Sequence, residues 1–239
     1  MPRFHVPIEL QAGQALSLPS GAVRHVQVLR LQPADEVTLF NGTGGEWRAT
    51  ILRMGRGEVL ARVDAHDPIE REAARAVHLA VGLMATERME WLIEKATELG
   101  MDRLTPVLTV RGNVRLGGER ADRKLRRWQA VAAAACEQCG RNRMPEIHEP
   151  RSLRELLQDP GAGERWLLAL APATSGLQDK ARVLPATTPV TLLSGPEGGL
   201  DPHEESLARE AGFAPSSLGA RVLRAETAPL AALACLTTP

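Results

Sequence analysis

The sequence predicts an α/β fold in which a mostly parallel sheet follows a small antiparallel β-barrel. Two observations support this prediction. Short strand-like runs separated by glycine-rich turns occupy the first part of the chain, as in small barrels. Further along, apolar runs of strand length alternate with helical periodicity, which is typical of helices that cover a parallel sheet. The polar stretch Asp64–Ala74 separates the two patterns, so we expect domains at residues 1–70 and 75–239.

Composition narrows the class of protein. Of 239 residues, 44% are hydrophobic and 24% are charged, which excludes intrinsic disorder. No apolar run approaches the roughly 20 residues of a bilayer span, and the first residues lack the apolar segment of a signal peptide. Three cysteines in this length indicate a reducing compartment, so we expect a cytoplasmic protein without membrane contact. The 29 basic and 29 acidic residues balance, which argues against coating nucleic acid by bulk charge.

Turn chemistry predicts the strands of the first part. Asn41–Gly45 and Gly55–Gly57 contain the residues that supply positive φ angles in tight hairpins. Strands are therefore expected on either side of these turns, at Val37–Phe40, Glu46–Arg53 and Glu58–Val63.

The second part alternates strands with helices. Its apolar runs of strand length are Leu79–Met84, Leu104–Val110, Trp166–Ala171 and Val190–Ser194. After the first run, apolar residues recur at helical spacing, with Thr86 as the expected N-cap and Gly100 as the stop. A long helix is expected over Glu119–Cys139 and ends at Gly140.

Capping chemistry predicts two later helices. Ser152 and Glu155 are three residues apart, which is the spacing of a capping box. Asp201 precedes a proline and is expected to begin a helix that Gly212 ends. The Ala- and Leu-rich C-terminal residues indicate a final buried helix.

The most informative segment runs from strand to loop to helix over Leu192–Glu205. Its loop has the sequence GPEGG, and a glycine-rich loop at the carboxyl end of a parallel strand is where open α/β sheets bind ligands. The loop lacks the Gly-Lys-Ser/Thr of a phosphate loop and the G-x-G-x-x-G of a dinucleotide loop. Its proline and Glu197 argue against a polyphosphate and favour a neutral or cationic ligand. Taken alone, GPEGG is more typical of a tight turn than of a ligand site.

A second group of polar residues lies within Leu218–Ala228. We expect a strand here that carries Arg221 and Arg224 and leads into the C-terminal helix. An isolated arginine is compatible with a solvated edge. Two arginines beside Glu226 and Thr227 favour a functional role, because a core-facing segment needs partners for its charges.

The order of these motifs closely resembles the RsmE family of methyltransferases. GPEGG followed by LGARVLRAETA (Leu218–Ala228) matches the family's C-terminal signature. Upstream, RMEWLIEKATELG (Arg88–Gly100) resembles its first helix and EQCGRNRMPEI (Glu137–Ile147) its EQxxRxxxP block. HVQVLRL (His25–Leu31), followed by NGTGGEW, resembles its PUA-like barrel. Because four ordered blocks cover most of the chain, it is identified as a member of this family.

The resemblance implies a fold, a cofactor and a substrate. The fold is a PUA-like RNA-binding barrel and a SPOUT-type α/β domain with a C-terminal trefoil knot, in a homodimer whose interface completes the site. The cofactor is S-adenosylmethionine, bound by the knot loops. The reaction is methylation of N3 of a specific uridine, uracil 1498, in 16S rRNA of the assembled 30S subunit.

The resemblance also places the cofactor against three loops. The expected cofactor-binding residues are Leu170, Pro172, Leu193, Ser194, Gly195, Pro196, Glu197, Gly198, Leu218, Gly219, Arg221, Leu223, Thr227 and Ala228. These residue types suit the ligand, because backbone groups can recognise the edge of adenine and a carboxylate tolerates a nearby sulfonium.

The implied reaction needs a proton removed from a weakly acidic imide and an anion stabilised. Donors aimed at developing charge contribute several kcal/mol, so we expect Arg221 or Arg224 to stabilise the uracil anion. Glu197 or a water is the candidate general base. The alternative role of Glu197 is to cap the following helix and fix the loop.

Phosphate contacts would position the enzyme on RNA, with the target base splayed into the pocket. The candidate RNA-binding residues are Arg3, Arg24, Arg30, Arg111, Arg115, Arg141 and Arg143.

No metal site is predicted, because the C-x-x-C pair Cys136 and Cys139 lacks further ligands at zinc spacing and is typical of packing. The tryptophans are expected in the core, although Trp47 on a barrel strand could stack on RNA.

Two other functions stay open at this point. The chain could be a non-catalytic RNA-binding assembly factor, which an absence of cofactor binding would support. It could instead be a SPOUT enzyme with another target, such as a ribose 2′-hydroxyl.

Overall fold

The computed structural model describes residues 1–112, 118–169 and 175–238. They form two compact units. The first combines Met1–Glu72 with Ala133–Met144, and the second combines Ala73–Ala132 with the chain from Pro145 onwards. The sequence analysis expected residues 75–239 in one domain, whereas the structure groups Ala133–Met144 with the first unit, which is a different arrangement. Its physical reason is backbone pairing, since Met144 N donates to Gly42 O.

Residues 1–72 of the first unit form one sheet and one helix. Their elements are β1 (Arg3–His5), β2 (Ala15–Ser17), α1 (Ser20–Val28), β3 (Glu36–Phe40), β4 (Glu46–Gly55) and β5 (Glu58–Asp67). The described strands pair in the order β1-β3-β4-β5-β2. The predicted strands are confirmed, and the β4–β5 hairpin extends further than expected. All pairs are antiparallel except β1 with β3, which are parallel.

The core of the first unit follows the alternation of β-strand side chains. On β5, Val59, Ala61 and Val63 are fully buried, whereas the residues between them are at least partly accessible. Ala49 and Ile51 on β4 complete the same buried face. Period-two burial is expected where only one face of a sheet is covered.

The second unit alternates strands and helices, as predicted. Its elements are β6 (Val77–Gly82), α2 (Thr86–Glu98), β7 (Arg103–Leu108), α3 (Glu119–Cys139), β8 (Glu146–Ile147), β9 (Arg151–Ser152), α4 (Leu153–Gln158), β10 (Glu164–Leu168), α5 (Leu177–Val183), β11 (Val190–Ser194), α6 (Pro202–Glu210), β12 (Ala214–Ser216) and α7 (Thr227–Thr237). The end of α3, from Ala133 onwards, belongs to the first unit. In the described ranges the strands pair in parallel in the order β12-β10-β11-β6-β7-β8, with β9 also beside β7. Both faces of β11 are buried, which explains its continuous apolar sequence.

Most predicted helix ends are confirmed. Capping boxes form between Ser152 and Glu155 and between Asp201 and Glu204. The predicted glycine stops all have positive φ: +86° at Gly100, +88° at Gly140 and +86° at Gly212. The N-cap prediction for Thr86 is wrong by one residue. Ala85 is the N-cap of α2 and makes no side-chain capping hydrogen bond.

Two further predictions are wrong. Residues 218–226 form an irregular loop rather than a strand, and its arginines are exposed, so no core-facing position constrains them. Trp91 is 46% exposed on α2, whereas Trp128 and Trp166 are buried as predicted. Trp47 is partly buried, and its ring lies 4.5 Å from the ring of His66.

Candidate active site

A cavity of about 310 Å³ lies in the second unit, where β10, β11 and β12 end. The GPEGG loop and residues 218–228 form much of its wall. The lining residues are Leu168, Ala169, Ser194, Gly195, Pro196, Glu197, Gly198, Gly199, Ser216, Leu218, Gly219, Arg221, Val222, Leu223, Ala225 and Ala228. The cavity thus lies at the carboxyl edge of the parallel sheet, which is where the loop sequence predicts a ligand site.

The cavity gathers most of the expected cofactor residues. Those that line it are Ser194, Gly195, Pro196, Glu197, Gly198, Leu218, Gly219, Arg221, Leu223 and Ala228. Leu193, Arg224 and Thr227 do not line it, and Leu193 is fully buried within β11. Leu170 and Pro172 lie outside the described residues. The same strand-end rule, applied to β10 and β12, would have found two residues that sequence reasoning missed, Leu168 and Ser216.

Glycines let the GPEGG loop lie directly on the sheet edge. A Cβ atom at Gly82, the last residue of β6, would overlap the backbone nitrogen of Pro196. A Cβ atom at Gly195 would lie 2.6 Å from the backbone nitrogen of Leu200. The loop closes as a turn in which Gly199 N donates to Pro196 O at 2.8 Å. A larger side chain at either position would displace the cavity wall.

Hydrogen bonds fix the outer side of this loop. Arg111 Nη1 donates to Gly198 O at 3.1 Å and to Leu200 O at 3.2 Å. Glu204 is 5% exposed, and it accepts from Val110 N at 2.8 Å and from Asp201 N at 3.0 Å. Asp201 and Glu204 therefore cap α6. The suggestion that Glu197 caps this helix is wrong.

The charged side chains at the cavity differ in their partners. Arg88 Nη1 lies 3.1 Å from Glu197 Oε1 and 4.0 Å from Glu226 Oε2. Arg221 and Arg224 are exposed, and within the described ranges their side chains form no ion pair. These two guanidinium groups are thus available to a ligand.

Two polar groups stand out in the cavity wall. Ser194 is 4% exposed, and its hydroxyl has no hydrogen-bond partner among the residues that the structure describes. The second group, Ser216, is hydrogen-bonded to Lys180. The Nζ of Lys180 donates to Ser216 Oγ at 2.9 Å and to Pro215 O at 2.6 Å. Burial lowers the pKa of Lys180. A buried hydroxyl without a partner indicates a place for a polar ligand atom.

The candidate RNA-binding arginines occupy different environments. Arg3 pairs with Glu46 at 2.5 Å, and Arg141, only 5% exposed, pairs with Glu72 at 2.5 Å. Their guanidinium groups thus serve ion pairs within the first unit, contrary to the expectation of phosphate contact. Arg143, Arg24 and Arg30 are exposed, Arg111 holds the GPEGG loop, and Arg115 lies outside the described residues.

The C-x-x-C pair has no ligand geometry. Cys136 is buried, which raises the pKa of its thiol to about 12, and its Sγ donates to Arg143 O. In the described part of the chain, no group of three or more His, Cys, Asp and Glu side chains could hold a metal ion. Among the described helices, none combines the length and apolarity that a bilayer crossing needs.

Comparison with known proteins identifies the family. A family model described as an RNA methyltransferase domain matches residues 71–237, and an RNA methyltransferase PUA domain matches residues 18–64. The ribosomal RNA small subunit methyltransferase E of Synechocystis is 35% identical, over 92% of this chain and 71% of the relative. The chain belongs to the RsmE family. The family resemblance and the PUA-plus-α/β fold class are therefore confirmed.

Solved structures support the same assignment at the level of the fold. The RsmE protein of Neisseria gonorrhoeae, solved bound to S-adenosyl methionine, is 34% identical with a TM-score of 0.89, over 99% of this chain and 96% of the other. A Legionella pneumophila protein, solved with the bound cofactor SAM, is 37% identical with a TM-score of 0.91, over 98% and 96% of the two chains.

Proposed function

We propose that this chain is an S-adenosylmethionine-dependent methyltransferase of small-subunit ribosomal RNA. Its specific target would be N3 of uracil 1498 in 16S rRNA, within the assembled 30S subunit in the cytoplasm. The observation that carries the proposal is the cavity at the carboxyl edge of the parallel sheet, built from GPEGG and residues 218–228 in a chain of the RsmE family. The target base and the assembled subunit rest on the family resemblance.

The residues of the cavity fit the cofactor. A cavity of about 310 Å³ lies within the range of small-molecule sites, about 300–1,000 Å³. Leu218 and Leu223 offer apolar surface to an adenine ring, and the unpartnered Ser194 hydroxyl offers a hydrogen bond. Glu197 is compatible with a cationic sulfonium. When bound, the cofactor would supply a methyl group. The thioether from which that methyl group is transferred is a good leaving group.

Arg221 is the favoured residue for stabilising the uracil anion. It lines the cavity, is exposed and has no ion pair with the described residues, so its donors are free for O2 or O4 of the base. Arg224 is also exposed but lies outside the lining, so we assign it the lesser contribution. Glu197 stays the candidate general base, with a water molecule as the alternative. Arg88 donates to Glu197 Oε1 and does not engage Oε2.

We assign the RNA contacts to exposed arginines of the first unit, namely Arg24, Arg30 and Arg143. Each would position the enzyme through phosphate rather than read a base. We also propose a homodimer and a C-terminal trefoil knot, as the resemblance implies. Val222 lines the cavity and is 78% accessible. This exposed apolar side chain supports a homodimer in which the surface of the second subunit covers the site.

The test uses small ribosomal subunits from cells that lack this activity. They are incubated with the protein and labelled S-adenosylmethionine, and primer extension then locates the methylated base. Methylation at N3 blocks Watson–Crick pairing, so we expect one stop in the 3′ region of 16S rRNA, absent with naked RNA or without cofactor. Label without that stop would indicate another target. No label despite bound cofactor would support the non-catalytic assembly factor.

Glu197→Gln tests the general base. If Glu197 removes the proton, the variant loses most of its rate, and the acid limb of the pH–rate profile changes. The matched comparison is Glu205→Gln, a half-exposed carboxylate on α6 that pairs with Arg209 outside the cavity lining. An unchanged rate across pH would remove Glu197 from this role and favour water.

A further inference from the structure

Arg88 connects two segments that meet at the cavity. It lies in the first turn of α2, and its Nη1 is 3.1 Å from Glu197 Oε1 in the GPEGG loop. The same nitrogen is 4.0 Å from Glu226 Oε2, on the residue that precedes α7. Arg88 itself does not line the cavity. Its contacts therefore join two parts of the wall without occupying the site.

Glu226 needs this cation. Its side chain is 11% exposed, and Oε2 has no hydrogen-bond partner among the residues described. Its position before α7 favours a negative charge, but the side chain makes no capping hydrogen bond. A carboxylate held away from water is costly unless a cation compensates it. Within the described ranges, Arg88 is the cation that forms an ion pair with Glu226.

Arg88 is itself held by a rigid element. Its neighbour Met89 and Leu92, one turn further along α2, are fully buried. The loop 195–199 and residues 218–226 are irregular, so their positions depend on contacts of this kind. A guanidinium group carries five donors in one plane and can serve two carboxylates, whereas a lysine ammonium acts as a compact point charge.

We propose that Arg88 is a positioning residue for the methyl-transfer site. It holds the GPEGG loop through Glu197 and the start of α7 through Glu226, and so keeps the cavity formed before the cofactor binds. The functional part of this inference rests on the proposed function of the cavity. The structural part, the tie between the two segments, is independent of any ligand.

The first measurement is hydrogen–deuterium exchange on the ligand-free full chain. In Arg88→Gln, we expect exchange to rise about tenfold both in the GPEGG loop and at the start of α7, because both carboxylates lose the same partner. Arg88→Lys, which keeps the charge and is the milder change, should restore protection in one segment but not in both. Arg209→Gln is the matched control, since Arg209 forms an exposed ion pair on α6 outside the lining.

The second measurement is calorimetric titration with S-adenosylmethionine. We expect Arg88→Gln to raise Kd about tenfold, equivalent to about 1.4 kcal/mol, and to raise KM for the cofactor by a larger factor than it lowers kcat. Glu226→Gln removes the charge that Arg88 compensates. The double variant should therefore bind no more weakly than Arg88→Gln alone.

The outcomes separate the two proposals. Unchanged exchange in both segments of Arg88→Gln would overturn the positioning role, whether or not the wild-type protein binds the cofactor. A failure of the wild-type protein to bind the cofactor would overturn the proposed function. The exchange result would then decide by itself whether Arg88 joins the two segments. A fall in kcat with unchanged KM would also contradict a positioning role. If Arg88→Gln does not fold, the Lys variant and the Glu226→Gln variant decide the same question.

Discussion

The arginines of the first unit and those at the cavity have opposite surroundings. In the first unit, Arg141 pairs with Glu72, and Glu46 receives hydrogen bonds from both Arg3 and Arg71. These guanidinium groups lie close to carboxylates of the same unit, and Arg141 is almost entirely buried. Removing one partner there would leave a charge without compensation.

Arg221, which lines the cavity, and Arg224, three residues further along, are exposed and form no ion pair within the described part of the chain. An arginine without a protein partner contributes little to the fold, but it keeps its five donors for a ligand. The comparison teaches that composition alone does not give the role of an arginine. The position of the nearest carboxylate decides whether an arginine stabilises the fold or stays available to a ligand.

The largest expected effect is on catalysis. Arg221→Ala should lower kcat/KM for small subunits by about 10²- to 10³-fold, because it removes a donor aimed at the developing anion. The free energy of unfolding should change by less than about 0.5 kcal/mol, as for other exposed positions. Methyl transfer and urea unfolding measure the two quantities. A loss of stability equal to that of a core variant would contradict the comparison.

Arg141→Ala should have the opposite profile. We expect the free energy of unfolding to fall by about 3 kcal/mol, because Glu72 loses a largely buried partner. Urea unfolding followed by circular dichroism measures this loss. If the change were below about 1 kcal/mol, the pair would not stabilise the first unit, and Arg141 would return as a candidate for phosphate contact.

The next effect depends on pH. Burial alone would raise the pKa of Glu46, but hydrogen bonds from Arg71 and Arg3 outweigh it and lower the pKa to about 2. A lowered folded-state pKa contributes stability above the unfolded value, near 4.5, and loses it as pH falls towards 2. We expect a loss of about 2 kcal/mol across this window. Glu46→Gln should remove that part of the acid dependence, and an unchanged acid profile would contradict it.

The smallest effect is expected at Arg143. Its ion pair with Glu70 spans 3.2 Å, and its side chain is 56% exposed. Arg143→Ala should change the free energy of unfolding by about 0.5 kcal/mol or less. The same variant should weaken binding to small subunits and reduce the salt dependence of that binding. Binding unchanged at every salt concentration would remove Arg143 from the proposed RNA contacts.

Local patterns predicted much of the fold. GPEGG at a strand end located the cavity, and the capping boxes at Ser152 and Asp201 began helices where expected. These signals are local, because a capping bond or a turn depends on residues three or four apart. The role of Arg88 was not predicted, because Glu197 and Glu226 are over a hundred residues away from it.

The sequence by itself determined the family, the alternation of strands and helices in the second unit, and the loop that forms the cavity. Each depends on residue types at short spacing. The tertiary structure decided which arginines are paired, that residues 218–226 form a loop, and that Ala133–Met144 joins the first unit. These ion pairs and backbone contacts depend on which distant carboxylate or backbone group lies within hydrogen-bonding distance. Short-range patterns do not contain that information, because ion pairs and strand contacts form only when the folded chain brings their partners together.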